Sequence, residues 1–389
     1  MKTLLVIFGI TGDLAGRKLL PALDAIVADG KGDDLSILGV SRREVDAGVL
    51  FKDYPKLAKR GDVFTMDLAT LNEYDRLKKY LEDSDADRVL FYLSVPPGAA
   101  ASIVDLLGEA GLNSARYNVL FEKPFGYDLA SAQDFIKRTG KYFSEEQLYR
   151  IDHYMAKDIA AQLLMLRQNA ENYHHHWSTE SVEKITVVAT ETLGVEGRGQ
   201  FYEQTGALRD FVQGHLMQLL SLVLMDPTSF TIDQLTVRRL RALQQLIPAD
   251  PLASVRGQYE GYDEEVENPG SRVETLVSVE LQSEDSRWKG VPLQLITGKA
   301  LDTKRSAIII TYTDGKTDVF EEGAGMSAQR AQDAYERVLL EAIGGGRAIF
   351  TTSDEILRSW EVLSPLQEAW AMEQVPLETY AIGTSVETL

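Results

Sequence analysis

The 389-residue chain contains no cysteine, only five histidines, and 40 Lys and Arg against 59 Asp and Glu. Without cysteine there is no disulfide framework, no thiolate metal site and no cysteine nucleophile. The excess of acid, a net charge of −19, argues against nucleic acid as the main partner, because a phosphate backbone needs clustered Lys and Arg. It does not argue against a small anionic ligand, for which a few local cations suffice. No segment carries ~18 unbroken apolar residues, so no membrane span is expected. The apolar start MKTLLVIFG runs into charged GDLAGRK without a small-residue cleavage site. That reads as a buried strand and not a secretory leader, and the expected location is cytoplasmic. Repeats and low-complexity tracts are absent too. What remains is ordinary globular composition, 44% hydrophobic and 25% charged, with length for about two or three domains.

Along the first 150 residues, short apolar runs alternate with helical patterns. TLLVIFG (3–9), LSILGVSR (35–42), VLFYLSV (89–95) and YNVLFEKPFG (117–126) read as strands buried on both faces, with VFTMDL (63–68) as a shorter one. Helical patterns cover about 13–28, 44–60, 72–83 and 99–111. The alternation predicts a parallel sheet covered by helices, a Rossmann-like α/β domain over 1–150. The remainder, 151–389, differs. VEKITVVATET (182–192), ETLVSVEL (274–281), PLQLIT (292–297) and SAIIITYTD (306–314) are strands without long helices between the last three. An α+β domain with a mainly antiparallel sheet is therefore predicted. Helices are expected over 157–170, 207–225, 235–247, 328–343 and 353–372, and GQYEGYDEEVENPGSR (257–272) reads as a surface excursion.

Two features point to a dinucleotide. The turn after the first strand is Gly9-Ile10-Thr11-Gly12-Asp13-Leu14. It is not GxGxxG, yet a glycine-bearing turn before a helix start presents backbone N–H groups suited to a pyrophosphate. A plain tight β–α turn would look the same. The second strand ends Ser41-Arg42-Arg43, where an acidic residue would bind the 2′-hydroxyl of NAD and a basic one accommodates the 2′-phosphate of NADP. Two solvated arginines are the other reading.

The histidines divide into a run, His174-His175-His176, and two single residues, His153 and His215. Adjacent side chains diverge, so the run has poor ligand spacing and no metal site is expected. If a helix starts at Arg150-Ile151-Asp152-His153-Tyr154, then His153 and Lys157 are i,i+4 on one face. With Tyr154 they would suit a phosphate, or a solvated helix start. His215 lies in an apolar helical pattern, as a core histidine or as a base. On an α-helix Asp210 would stand about 140° away, so any carboxylate orienting His215 should come from elsewhere.

Read together, these motifs resemble the glucose-6-phosphate dehydrogenase family. GITGDLAGRKLLPAL (9–23) resembles its coenzyme turn and FEKPFGYDL (121–129) its EKPFG segment. YRIDHYMAKD (149–158) resembles RIDHYLGKE, the most specific of the set. ETLGVEGRGQFYEQTGALRDFVQGHLMQLL (191–220) resembles the segment holding the catalytic histidine. WKGVPLQLITGKALDTK (288–304) and DAYERVLLEAI (333–343) also match, in family order over nearly the whole chain. The resemblance implies oxidation of glucose 6-phosphate to the 1,5-lactone, with hydride transfer to NADP and with NAD as the alternative. His215 would be the general base and Asp152 its orienting carboxylate. His153, Tyr154 and Lys157 would bind the 6-phosphate, and Glu191, Asp210, Lys299 and Lys304 the sugar hydroxyls. Lys123 would touch substrate and cofactor, and Pro124 would shape the adjoining turn. Gly9, Thr11, Gly12, Asp13, Leu14 and Arg42 would line the dinucleotide site. No metal, nucleic acid or membrane is implied, and a homodimer through the second-domain sheet is.

The chain departs from the pattern at three places. Gly214 precedes His215 where Asn is usual, which suggests preference for another hexose 6-phosphate as an alternative. Ala156 replaces a Gly, and the stretch 311–330 is shorter than in typical members, which puts dimerisation in question. The Gfo/Idh/MocA oxidoreductases share the two-domain plan and an EKP segment but lack the RIDHY and RDxxQxH segments. A nucleotide-sensing pseudoenzyme would not need Asp152, His215, Lys123 and Lys157 together.

Overall fold

The computed structural model describes residues 1–168, 177–226, 231–323 and 333–386. The chain packs as two compact units. The first comprises Met1–Gly126, Ala130–Ala156 and Arg330–Ser353, the second Tyr127–Leu129, Lys157–Gln329 and Asp354–Leu389. The division differs from a cut after residue 150, because the segment up to Ser353 returns to the first unit.

The first unit holds a seven-stranded sheet of β1 (Thr3–Phe8), β2 (Leu35–Ser41), β3 (Gly61–Thr65), β4 (Arg88–Leu93), β5 (Tyr117–Phe121), β6 (Leu148–Ile151) and β13 (Phe350–Thr351). Its order is β13-β6-β5-β4-β1-β2-β3, parallel throughout except for β13 against β6. Every residue of β1, β4 and β5 is buried, as a parallel sheet covered on both faces requires. The order runs outward in both directions from the pair β1 and β4, so the topological switch point lies between them. Helices Leu20–Ala28 and Ala334–Gly344 pack on this sheet through Leu23, Ile26, Val338 and Leu339. Helix Leu129–Thr139, β6 and β13 were not foreseen, the two strands being too short to show a period. The helix expected over 44–60 is reduced to Ala47–Leu50, capped by the Asp46 carboxylate on the Val49 N–H at 3.0 Å. Pro55 disfavours helical backbone at Tyr54, and turns follow.

The second unit holds β7 (Val182–Thr190), β8 (Ser254–Tyr259), β9 (Leu276–Leu281), β10 (Leu293–Gly298), β11 (Arg305–Tyr312), β12 (Thr317–Glu321) and β14 (Leu377–Tyr380). The order is β12-β11-β7-β10-β9-β8-β14. It is mainly antiparallel as expected, but β7 pairs with β10, and β8 with β14, in parallel. The stretch 257–272 is no mere excursion: it contributes to β8 and buries Tyr259 and Tyr262 in a cluster with Tyr202, Leu276 and Tyr380. The expected long helix over 207–225 is interrupted. A helix Gly199–Ala207 kinks at Gly206, Leu208–Leu216 is π-helical, and an α-helix resumes over Met217–Leu224. The π-helical segment packs on β7 and β10. Among the described residues no helix is long and apolar enough to cross a membrane.

Candidate functional site

In the first unit the residues expected at the cofactor gather at the carboxyl ends of parallel strands. There an open α/β sheet leaves its ligand crevice at the switch point. Gly9 follows β1 and Ser94 follows β4. Gly9 has φ +80, and a Cβ there would come 2.2 Å from the Ser94 carbonyl oxygen. A left-handed, sterically closed position of this kind accepts only glycine without strain. The Gly9 N–H donates to the Val40 carbonyl at 3.1 Å, and Gly12 N–H returns to the Gly9 carbonyl at 2.9 Å. This tight turn leaves Thr11, Gly12 and Asp13 exposed and Leu14 partly so. The residues Ala15–Leu19 that follow are π-helical before the α-helix starts at Leu20. Arg42 and Arg43 are exposed beyond β2, and the Arg43 N–H donates to Ser41 Oγ at 3.1 Å. The cradle and the two free-standing cations fit a dinucleotide.

Beyond β5, Lys123 and Pro124 are half-buried and joined by a cis peptide. Beside them stands a residue that sequence reasoning missed. Glu122 accepts a hydrogen bond from the Tyr92 hydroxyl. Loss of water around its carboxyl raises it to about 7; the Tyr92 bond opposes the shift and the nearby Asp152 charge adds to it. Its only sequence signal was its place before Lys123. Beyond β6 the buried Asp152 accepts the Tyr154 N–H at 3.0 Å. The turn His153–Ala156 is 3₁₀ and the α-helix starts only at Asp158. His153 and Lys157 are therefore not an i,i+4 pair on one α-helix: β6 occupies the residues where that helix was expected to begin. The His153 ring lies parallel to Tyr335, centroids 6.5 Å apart.

In the second unit the parallel pairing of β7 with β10 sets two strand ends side by side, Thr190 opposite Gly298. The next residue on each strand is Glu191 and Lys299, and the Lys299 ammonium donates to the Glu191 carboxylate. Lys299 is 2% exposed. Its Nζ also lies 5.1 Å from the Tyr202 ring centroid and 6.0 Å from that of Phe211. The Phe211 ring in turn meets His215 edge-on at 5.6 Å. Glu191, Lys299, Phe211 and His215 thus form one continuous chain of contacts. Thr190 Oγ1 donates to the Thr303 carbonyl at 2.6 Å and accepts the Arg305 N–H at 3.1 Å. That holds the loop bearing the exposed Lys304 at the same strand end.

His215 is 4% exposed. The π-helical backbone changes its relation to Asp210. Bonds in such a helix close i→i+5, so residues five apart fall one turn apart and on one face. The wide separation expected from α-helical geometry does not apply. The His174-His175-His176 run lies outside the described residues. Among the described residues no group of three or more His, Asp or Glu could hold a metal ion.

Residues 6–161 match the glucose-6-phosphate dehydrogenase NAD binding domain, and residues 164–330 and 323–387 the glucose-6-phosphate dehydrogenase C-terminal domain. The glucose-6-phosphate 1-dehydrogenase of Rhizobium meliloti is 31% identical, over 97% of this chain and 93% of its own length. That of Gluconobacter oxydans is 32% identical over the same shares. A solved glucose-6-phosphate dehydrogenase in complex with its substrate glucose-6-phosphate is 26% identical with a TM-score of 0.89, covering 99% of this chain and 95% of that one. A glucose-6-phosphate 1-dehydrogenase from Mycobacterium avium is 29% identical with a TM-score of 0.87 over the same shares. The alignment with the Rhizobium protein runs over 457 positions against 389 residues here, so that relative carries stretches this chain lacks. The C-terminal domain matches in two pieces that meet at residues 323–330, within the stretch whose shortness the sequence showed.

Proposed function

The chain belongs to the glucose-6-phosphate dehydrogenase family, and we propose from that premise that it converts glucose 6-phosphate to 6-phosphoglucono-1,5-lactone with NADP as hydride acceptor. The observation that supports this most is the contact chain Glu191–Lys299–Phe211–His215, ending on a buried imidazole that shares a π-helical face with Asp210.

His215 takes the proton from the C1 hydroxyl as general base, and Asp152 holds its imidazole in the tautomer that can accept it. Glu191, Asp210, Lys299 and Lys304 hold the sugar hydroxyls. The Glu191–Lys299 ion pair keeps both groups in fixed orientation before substrate arrives, which lowers the ordering cost of binding. His153, Tyr154 and Lys157 bind the 6-phosphate, and the binding energy of this remote group positions C1. Gly9, Thr11, Gly12, Asp13 and Leu14 cradle the pyrophosphate, Arg42 meets the 2′-phosphate, and Lys123 with Pro124 orients the nicotinamide end. The bound nicotinamide supplies the site to which C1 gives its hydride. The reading places the enzyme in the cytoplasm. It also carries a homodimer through the second sheet, where a cleft of about 470 Å³ is lined by Lys184, Thr186, Ile296, Arg305 and Ile309.

The test is kcat/KM for glucose 6-phosphate with NADP and with NAD, in the wild type and Arg42→Ala. A preference for NADP that falls about tenfold or more in the variant is expected, the size of one lost charged contact. An NAD preference in the wild type would overturn the assignment of Arg42. Faster turnover of another hexose 6-phosphate in the same assay would reassign the sugar.

A further inference from the structure

The π-helical segment Leu208–Leu216 does not begin like an ordinary helix. The helix before it ends at Ala207 after a kink at Gly206, and its first backbone amides need acceptors that its own turn cannot provide. One residue supplies two of them. The Glu274 carbonyl accepts the Ala207 N–H at 2.9 Å, and Glu274 Oε1 accepts the Leu208 N–H at 3.0 Å. Glu274 lies just before β9 and is 6% exposed. Gly206 has φ +61, and a Cβ there would come 2.4 Å from Glu274 Oε1. The kink and the clamp therefore depend on each other: the carboxyl fills the space that any side chain at 206 would need.

We propose that Glu274 is a positioning residue for the oxidation. By capping the first turn of the π-helical segment it fixes the i→i+5 winding that sets Asp210 and His215 on one face. Nothing in the local sequence LRDFVQGHL demands a π-helix. Released at its start, the segment can close i→i+4 bonds, and Asp210 and His215 then stand about 140° apart. Burial raises the Glu274 carboxyl. The Leu208 N–H, its own amide and the charges of Arg209 and Arg256 draw it back. A neutral amide of the same shape can make the same bond to Leu208. The proposal rests on the reading of His215 as base and Asp210 as a sugar ligand.

The experiment compares Glu274→Ala, Glu274→Gln and His215→Ala with the wild-type chain. It measures steady-state kinetics with glucose 6-phosphate, cofactor affinity, and amide hydrogen exchange over 207–216. Glu274→Ala is expected to lose about tenfold or more in kcat, the effect of one buried amide left without a partner. Its cofactor affinity should not change, and exchange over 207–216 should be faster. Glu274→Gln should recover most of both losses. An unchanged kcat in Glu274→Ala, or a Gln variant as impaired as Ala, overturns the proposal. If Glu274→Ala does not fold, Gly206→Ala takes its place, with slow turnover and fast exchange expected beside a competent Glu274→Gln. Normal turnover in Gly206→Ala refutes the clamp. If His215→Ala keeps the wild-type rate, the reading of the base fails and the proposal fails with it. A large loss in His215→Ala beside normal Glu274 variants sinks the proposal alone.

Discussion

Breaking the ion pair between Arg239 and Glu355 is expected to destabilise the second unit by more than any surface change can. Arg239 on helix Leu235–Gln244 and Glu355 in the first turn of helix Ser353–Ala371 are both 0% exposed. Nε meets Oε1 at 2.7 Å and Nη2 meets Oε2 at 3.2 Å, a bidentate fork. Glu355→Ala takes the carboxylate partner from a buried guanidinium, and breaking such a pair from one side costs about 3–5 kcal/mol. Arg239→Met takes the guanidinium partner from the buried carboxylate at similar cost. The double variant Arg239→Met/Glu355→Leu removes both charges and fills the space with apolar groups. It should fall within about 1 kcal/mol of wild type, leaving a coupling energy of several kcal/mol. All four tryptophans, Trp177, Trp288, Trp360 and Trp370, belong to the second unit. Urea unfolding followed by tryptophan fluorescence therefore reports on the unit that carries the pair. A Glu355→Ala loss below about 1 kcal/mol would refute the reasoning, because a pair worth so little is a solvated one. So would a double variant as unstable as the singles.

Two further predictions concern the first unit. Gly9→Ala forces a left-handed residue with a side chain, at about 1–2 kcal/mol, and drives its methyl into the Ser94 carbonyl. Cofactor affinity by titration calorimetry should fall about tenfold or more; an unchanged Kd would contradict the cradle. Glu122, raised to about 7 from 4.5, holds a proton in the folded chain that the unfolded chain has released. Stability therefore falls as pH rises from 4.5 toward about 7, by at most ~1.4 kcal/mol per pH unit. Glu122→Gln should flatten that part of the far-UV melting profile, and an identical slope in the variant would count against the assignment.

Much of this architecture was legible because strong local signals and global packing agree. After their first residues, Thr3 and Arg88, TLLVIF and RVLFYL carry an unbroken apolar run and became the two strands that flank the switch point. Pattern failed where the tertiary context decides. LRDFVQGHL reads as α-helix by composition, and its π-helical winding depends on Glu274, 66 residues beyond Leu208 in sequence. Glu274 itself stands in a strand-like run with no mark of its task. The ion pair of Glu191 with Lys299 follows from a parallel pairing inside a mainly antiparallel sheet, which no single-strand pattern encodes. Tyr259 and Tyr262 lie in an acidic stretch that looks solvated, yet their rings are core. The EKP and RIDHY segments carried the site residues by resemblance, since a 3₁₀ turn and a half-buried Lys123 have no periodicity to read.

The central claim is that this chain oxidises glucose 6-phosphate at C1 with His215 as the base. Following the absorbance of reduced nicotinamide with glucose 6-phosphate and NADP tests it most directly, in wild type and His215→Ala. Loss of a general base costs about 10²–10⁴-fold, so kcat should fall by that order while KM for the sugar changes far less. A His215→Ala enzyme that keeps the wild-type kcat, or a wild-type chain without turnover of any hexose 6-phosphate, would contradict the account.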